Sequence, residues 1–408
     1  MATPEHQITA GFIPLLDSLL LVMAREKGFA ADEGVALNLV RETSWANIRD
    51  RIAVGHFDVA HMLAPMPLAA ALGLNPLAVP VIAPMALGLG GNAVTVGADL
   101  WARLLAAGAP PDLAAAPVGA ALRRVVEAGG APLRFAVVHP HSGHNYEVRY
   151  WLAASGIDPD RHVEIAILPP ALMPEALAQG AIDGYCVGEP WNTVGARRGG
   201  RIATVKAAIW RSSPEKVLGV GEQWAAGHPE ALAALLRALY RAAQWADAKV
   251  HHDEAAEILA RPDYLDLPVT TIRGGLSGDL EVGGEVRRVP DFFVPFARAA
   301  TFPWQSHALW FYSQMVRWGQ VEHTAERAAR AAATYRPDLY RAALGPLSAA
   351  IPAANFKVEG ALLHETPVGV MRGRLSLGPD GFFDGRIFDP AELDAYLVAG
   401  ARDQTHNI

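Results

Sequence analysis

Lys216 stands in Pro214-Glu-Lys and is one of five lysines among 35 basic residues. An ammonium offers three hydrogen-bond donors and no acceptor, which suits an anion. Trp45 follows Ser44 at a predicted helix start, and its indole N–H also only donates. Asn92 comes after Gly88, Gly90 and Gly91, where missing side chains let backbone N–H groups approach a small ion. His144 lies in Ser-Gly-His-Asn at another predicted helix start, where free N–H groups and the helix dipole favour negative charge. Each residue also has an ordinary reading: a core tryptophan, a plain turn, a solvated loop histidine, a surface lysine. The run His139-x-His141-x-x-His144 invites a zinc reading. Glu147 is the one carboxylate close by, no cysteine accompanies the run, and its spacing matches no zinc signature. No metal and no cofactor is therefore expected. Cys186 is the single cysteine, which excludes an internal disulfide and any Cys-based zinc or iron–sulfur centre. It reads as a buried small hydrophobe.

These residues need a scaffold, and alternating strands and helices supply one. Strands are predicted at 7–13, 35–40, 57–60, 78–83 and 93–96, with helices at 15–27 and 45–54 and after Pro67. A second α/β unit follows, with strands at 133–138, 163–168 and 181–187 and helices at 144–154 and 174–179. From 205 the pattern reads as helices at 214–226, 228–249, 252–260, 290–299 and 305–318. Past 350 it is rich in loops, with a weak hairpin near 382–388. The expected organisation is a first lobe at 1–97, a second lobe at 98–204, a mostly helical completion of the first at 205–349, and a loop-rich extension at 350–408. Ligand would sit between the lobes at the strand ends. Glu189 and Trp191, in Gly-Glu-Pro-Trp after the last strand of the second unit, read as hinge or cleft-edge residues, with ordinary packing an equal alternative.

Composition narrows the function. The 408 residues are 51% hydrophobic and 19% charged, enough for a large core. The net charge of −7 argues against direct nucleic-acid binding. The apolar run Leu15–Ala24 is too short to span a bilayer, and the stretch 65–93 is broken by prolines, so no membrane insertion is expected. The N-terminal sequence lacks the basic start of a signal peptide, which sets a cytoplasmic location as the expectation. No nucleophile elbow or P-loop appears, and the chain is read as a non-enzyme.

Several stretches together resemble the nitrate- and bicarbonate-binding proteins of bacterial ABC transporters. They include Gly11-Phe-Ile-Pro-Leu-Leu-Asp17, Ser44-Trp-Ala-Asn-Ile-Arg-Asp50, Ala64-Pro-Met-Pro67, Arg149-Tyr-Trp-Leu-Ala-Ala154, Val187-Gly-Glu-Pro-Trp-Asn192, Pro214-Glu-Lys-Val-Leu-Gly219 and Ser306-His-Ala-Leu-Trp310. Their order runs from about residue 8 to 320. The resemblance implies an α/β, two-lobed, type II periplasmic-binding-protein-like fold with its cleft between the lobes and a helical C-terminal extension. It places Trp45, Asn92, His144, Pro170 and Lys216 in an anion pocket, with Pro170 as apolar wall. Asn92 stands where the transport proteins tend to have Gln, which shortens its reach.

In that family a lysine at the position of Lys216 goes with nitrate and an acidic residue with bicarbonate. Nitrate only accepts hydrogen bonds, whereas bicarbonate carries an O–H that a carboxylate can accept. A buried carboxylate left facing nitrate would cost on the order of several kcal/mol. Nitrate or nitrite is thus the expected ligand. The cytoplasmic branch of the family consists of nitrate/nitrite sensors that partner an ANTAR-domain, RNA-binding antiterminator. The resemblance implies that role here, with a transport binding protein as the alternative.

Overall fold

The computed structural model describes residues 5–405 except Ala78, with side chains to residue 400. The outermost residues of the expected 1–97 and 350–408 segments, and the first residue of the expected strand 78–83, lie outside the described residues. Eleven strands build what matters for the site: β1 (His6–Phe12), β2 (Val35–Arg41), β3 (Val59–Leu63), β4 (Val81–Ala86), β5 (Leu89–Gly90), β6 (Asn92–Val96), β7 (Leu133–Val137), β8 (Val163–Ile167), β9 (Gly184–Gly188), β10 (Arg201–Val205) and β11 (Lys216–Gly221).

They form two sheets of five strands, in the order β2-β1-β3-β11-β4 and β10-β6-β9-β7-β8. In the first, β1 runs parallel to β2 and β3, while β11 is antiparallel to β3 and β4. In the second, β7 runs parallel to β8 and β9, while β6 is antiparallel to β9 and β10. Each sheet is the centre of one lobe. The chain leaves the first sheet after Ala86, enters the second at Asn92, and returns after Val205 to begin β11 at Lys216.

Two expected helices are strands or turns instead. Residues 214–226 hold β11 at 216–221, followed by a short helix Glu222–Gly227. A central strand buried on both faces shows no alternation, so its apolar run is indistinguishable from a buried helix by pattern alone. Residues 290–299 carry the two-residue strand Phe293–Val294, paired to β5, not a helix. Pro290 and Pro295 interrupt it, and Asp291, Arg298 and Ala299 take positive φ. The hairpin expected at 382–388 is a turn with single bridges, Trp210 to Phe382 and Glu359 to Phe388. The C-terminal region does end in a helix, Leu393–Thr405.

Both crossings between the lobes are gripped by later chain. On the first, Gly90 has φ 76°, and a Cβ there would lie 2.2 Å from the Phe292 carbonyl oxygen. Only glycine allows that approach. On the second, Phe383 N–H donates to the Ile209 carbonyl at 2.9 Å, Arg211 N–H donates to Gly381 at 3.1 Å, and Trp210 stacks on Phe382. The two crossings also touch one another, with Gly90 N–H donating to the Ser213 carbonyl at 3.0 Å.

Candidate functional site

Strand direction brings the candidate residues together. The carboxyl ends of β1, β2 and β3 lie on one edge of the first sheet, and antiparallel β11 begins on that edge because Lys216 pairs with Leu63. On the second sheet, Asn92 opens β6 opposite Gly188, the last residue of β9. This is the strand-end position where open α/β sheets bind ligands.

Two serine-capped helices aim side chains into the junction. Ser44 Oγ accepts from Asn47 N–H at 3.2 Å and starts the helix Trp45–Ala53, whose Trp45, Ile48 and Ile52 face inward. Ser142 Oγ accepts from Asn145 N–H at 3.0 Å and starts the helix Gly143–Ala154. Gly143 is needed there, because a Cβ would lie 2.5 Å from Glu215 Oε2.

Lys216 is the hub. Its Nζ lies 2.8 Å from Asp17 Oδ2 and 2.9 Å from Glu215 Oε1, and 5.4 Å from the centre of the Trp45 ring. Two of its three donors are thereby spoken for. Asp17 Oδ1 is 3.0 Å from His61 Nε2, and His61 Nδ1 accepts from Ile13 N–H at 3.4 Å. His144 Nδ1 is 3.3 Å from Glu215 Oε1. Lys206 Nζ contacts Glu215, Pro214 O at 2.7 Å and Glu147 Oε1 at 2.8 Å. A Cβ placed on Gly188 would be 3.2 Å from Asn92 Oδ1 and 3.5 Å from Asp17 Oδ2, which puts Asn92 beside the same cluster.

Trp45, Asn92, His144 and Lys216 are at most 1% exposed, so all four are sealed from solvent between the lobes. Buried polar groups are normally bonded. Here Trp45 Nε1, both side-chain atoms of Asn92 and His144 Nε2 have no hydrogen-bond partner among the described residues. Of these, the Trp45 indole N–H and the Asn92 carboxamide N–H₂ are donors left over near the Lys216 ammonium.

Electrostatics follow from burial and pairing. Burial works to raise the Asp17 pKa, but the Lys216 ammonium and His61 outweigh it and hold the carboxyl well below its ordinary value. Glu215 is likewise held low, against its burial, by His144, Lys206 and Lys216. Burial pushes His144 down to about 3, so it stays neutral near pH 7. Burial also lowers His61, although Asp17 opposes this.

Trp45, His144 and Lys216 thus share one cluster, and Asn92 lies beside it. Pro170 stands apart from these contacts. It is buried at the start of a 3-10 turn past β8, on the same strand-end edge, where Leu168 N–H bonds the Val137 carbonyl at 3.0 Å. The network also contains Asp17, His61, Glu147, Lys206 and Glu215, which were not singled out as ligand-binding residues in the sequence. Asp17 left one signal there, a carboxylate inside an otherwise apolar run. Among the described residues no group of three or more His, Cys, Asp or Glu side chains could hold a metal ion, and no helix is long and apolar enough to cross a membrane.

Comparison with known proteins finds relatives named for nitrate and others named for bicarbonate, among them the bicarbonate-binding protein CmpA of Synechococcus elongatus, 29% identical over 407 residues, 96% of this chain and 85% of that protein. Residues 1–260 match the model of the NMT1-like family. The chain is 32% identical over 405 residues to the nitrate/nitrite binding protein NrtA of Synechococcus elongatus, covering 96% of this chain and 85% of that protein. It is 35% identical over 340 residues to the nitrate import ATP-binding protein NrtC of Synechocystis, covering 81% of this chain and 48% of that protein. The chain therefore spans about half the length of the ATP-binding relative. The crystal structure of the periplasmic nitrate-binding protein NrtA from Synechocystis superposes with a TM-score of 0.84 at 27% identity, over 98% of this chain and 99% of the other. The two-lobed, periplasmic-binding-protein-like fold expected from the sequence is the fold observed, and the relatives named here are binding and transport proteins.

Proposed function

Starting from the fact that the chain belongs to the NMT1-like family, we propose that it binds nitrate or nitrite between its lobes as the solute-binding component of a transport system. The observation that carries this reading is the set of buried, unpartnered polar groups of Trp45, Asn92 and His144 around Lys216. A small planar anion that only accepts hydrogen bonds would satisfy the indole N–H, the carboxamide N–H₂ and the remaining Lys216 donor, while the His144 proton stays on Nδ1 toward Glu215. The relatives described above support a small-oxyanion ligand, and Lys216 carries the choice of nitrate or nitrite within that class.

The test is calorimetric titration of ligand-stripped protein with nitrate, nitrite and bicarbonate, alongside Lys216→Glu. Nitrate or nitrite should bind to the wild type, and the substitution should abolish binding. Bicarbonate binding alone, or none of the three, would refute the reading.

A second reading keeps the pocket and changes the partner. The resemblance along residues 8–320 is to a family with a cytoplasmic branch of nitrate/nitrite sensors, whose ligand-free form would sequester an ANTAR-domain antiterminator. Lobe closure would then alter the surface presented to that protein. Sizing the mixed pair with and without nitrate decides it: a complex that nitrate dissolves supports the sensor, and no complex supports transport.

A further inference from the structure

The pocket holds more carboxylates than cations before any ligand arrives. Asp17, Glu147 and Glu215 face Lys206 and Lys216, all five groups are buried, and the neighbouring His61 and His144 are neutral. Lys216 is shared between Asp17 and Glu215, and Lys206 between Glu215 and Glu147. With every carboxylate ionised the cluster carries one net negative charge. Nitrate would add another, in a place where water cannot screen it.

We propose that the pocket takes up its anion together with one proton, and that Glu147 is the group that holds it. This rests on the anion-binding reading above. Glu147 is the carboxylate farthest from compensation. Asp17 has Lys216 and His61 against it, and Glu215 has both lysines and His144. Glu147 has Lys206 alone, already engaged by Glu215 and Pro214. Its Oε2 has no hydrogen-bond partner among the described residues, an arrangement that costs a buried carboxylate more than a carboxylic acid. The groups around it are Lys206 on the crossing, Glu215 and Lys216 at the start of β11 and Cys186 on β9. Cys186 stays a thiol because burial raises its pKa well above the ordinary value. Burial likewise raises Glu147, to about 8, with Lys206 opposing and Glu215 reinforcing.

The consequence is a defined pH profile. Below about pH 7 Glu147 is already protonated, and nitrate binds without proton exchange. Above about pH 8 the free pocket has lost that proton and must recover it to bind. Affinity should then weaken by up to about tenfold per pH unit, with uptake approaching one proton per anion. Nitrate itself does not titrate in this range, so any proton taken up resides on the protein.

The experiment is titration of the full chain with potassium nitrate from pH 6.5 to 9.5, in buffers of different ionisation enthalpy, for wild type and Glu147→Gln. The wild type should show rising proton uptake and a falling affinity above pH 8. Glu147→Gln keeps the neutral, hydrogen-bonding form and should bind nitrate with one affinity across the range and no uptake. Nitrate binding with a flat profile and no uptake in the wild type overturns the proton proposal and leaves the anion reading intact. So does uptake that survives Glu147→Gln, which would assign the proton to another group. Absence of nitrate binding at pH 6.5 overturns both. Where the variant fails to fold, the wild-type buffer series still decides whether a proton is taken up with the anion.

Discussion

An indole N–H sealed from water with no acceptor is a cost that a bound anion removes, and Trp45 carries one. Trp45→Phe keeps an aromatic ring against His61 and under Lys216 while deleting that donor. Nitrate affinity should drop roughly tenfold, about 1–1.5 kcal/mol, while the stability of the ligand-free protein holds or rises. Calorimetry and thermal melting check both halves, and an unchanged affinity would remove Trp45 from the pocket. At this scale the sequence was informative where a residue sat beside a local signal. Ser44 and Ser142 mark helix starts for Trp45 and His144, glycines flank Asn92, and Pro-Glu precedes Lys216. His61, Glu147 and Lys206 have no such marker. They read as ordinary polar residues of a strand or helix, and only the meeting of the two sheets reveals what they face.

Element boundaries were legible where a serine cap or a proline marks the end of an element. The helices at 45–53 and 143–154 and the strands at 6–12 and 133–137 lie within a residue or so of their expected spans. The miss at β11 has a plain cause: the strand is inserted centrally and antiparallel, its side chains are buried on both faces, and nothing alternates. Missing it hid the reason Lys216 and Glu215 point into the site. The end of β9 offers an element-scale test. Glu189 accepts from Thr193 N–H at 3.2 Å at the lobe junction, and burial pushes its pKa up to about 7. The folded chain then holds this proton more tightly than the unfolded one. Stability must fall as pH rises from the ordinary glutamate value, 4.5, through 7. Glu189→Gln should erase that slope. It should match the wild type near pH 4.5 and exceed it by roughly 1–3 kcal/mol at pH 8 in urea denaturation. Parallel curves at the two pH values would show that Glu189 does not titrate there.

For the whole molecule, the region after residue 290 works as a brace across both crossings between the lobes. It is held by a second buried ionic group. Lys357 pairs with Glu359 and lies 2.8 Å from Asp380, and Glu359 Oε1 accepts from Ser306 Oγ at 2.6 Å on the helix Gln305–Arg317. Lys357→Met should strand two buried carboxylates and cost roughly 3–5 kcal/mol. It should also weaken nitrate binding, because residues 381–383 lie along 209–211, just ahead of Glu215 and Lys216. Denaturation and calorimetry on the same preparation test the link. Lost stability with untouched affinity would confine the brace to a structural role. This level was the least readable in sequence, because loops that bond one another across 170 residues leave no periodic trace.

The paired crossings have an evolutionary corollary. Residues 92–205 form an excursion from the first sheet, and its two ends are neighbours: Ala93 stands in register with Val205, and Leu89 bridges Pro214. An excursion with adjoining ends behaves genetically as a cassette. It can be lost, gained or exchanged in a single recombination event without parting the strands of the host sheet. Asn92 and His144, half of the proposed pocket, would travel with the cassette, whereas Trp45 and Lys216 would stay behind. Exchange of this one segment between relatives would therefore change one side of the proposed pocket while leaving Lys216 in place.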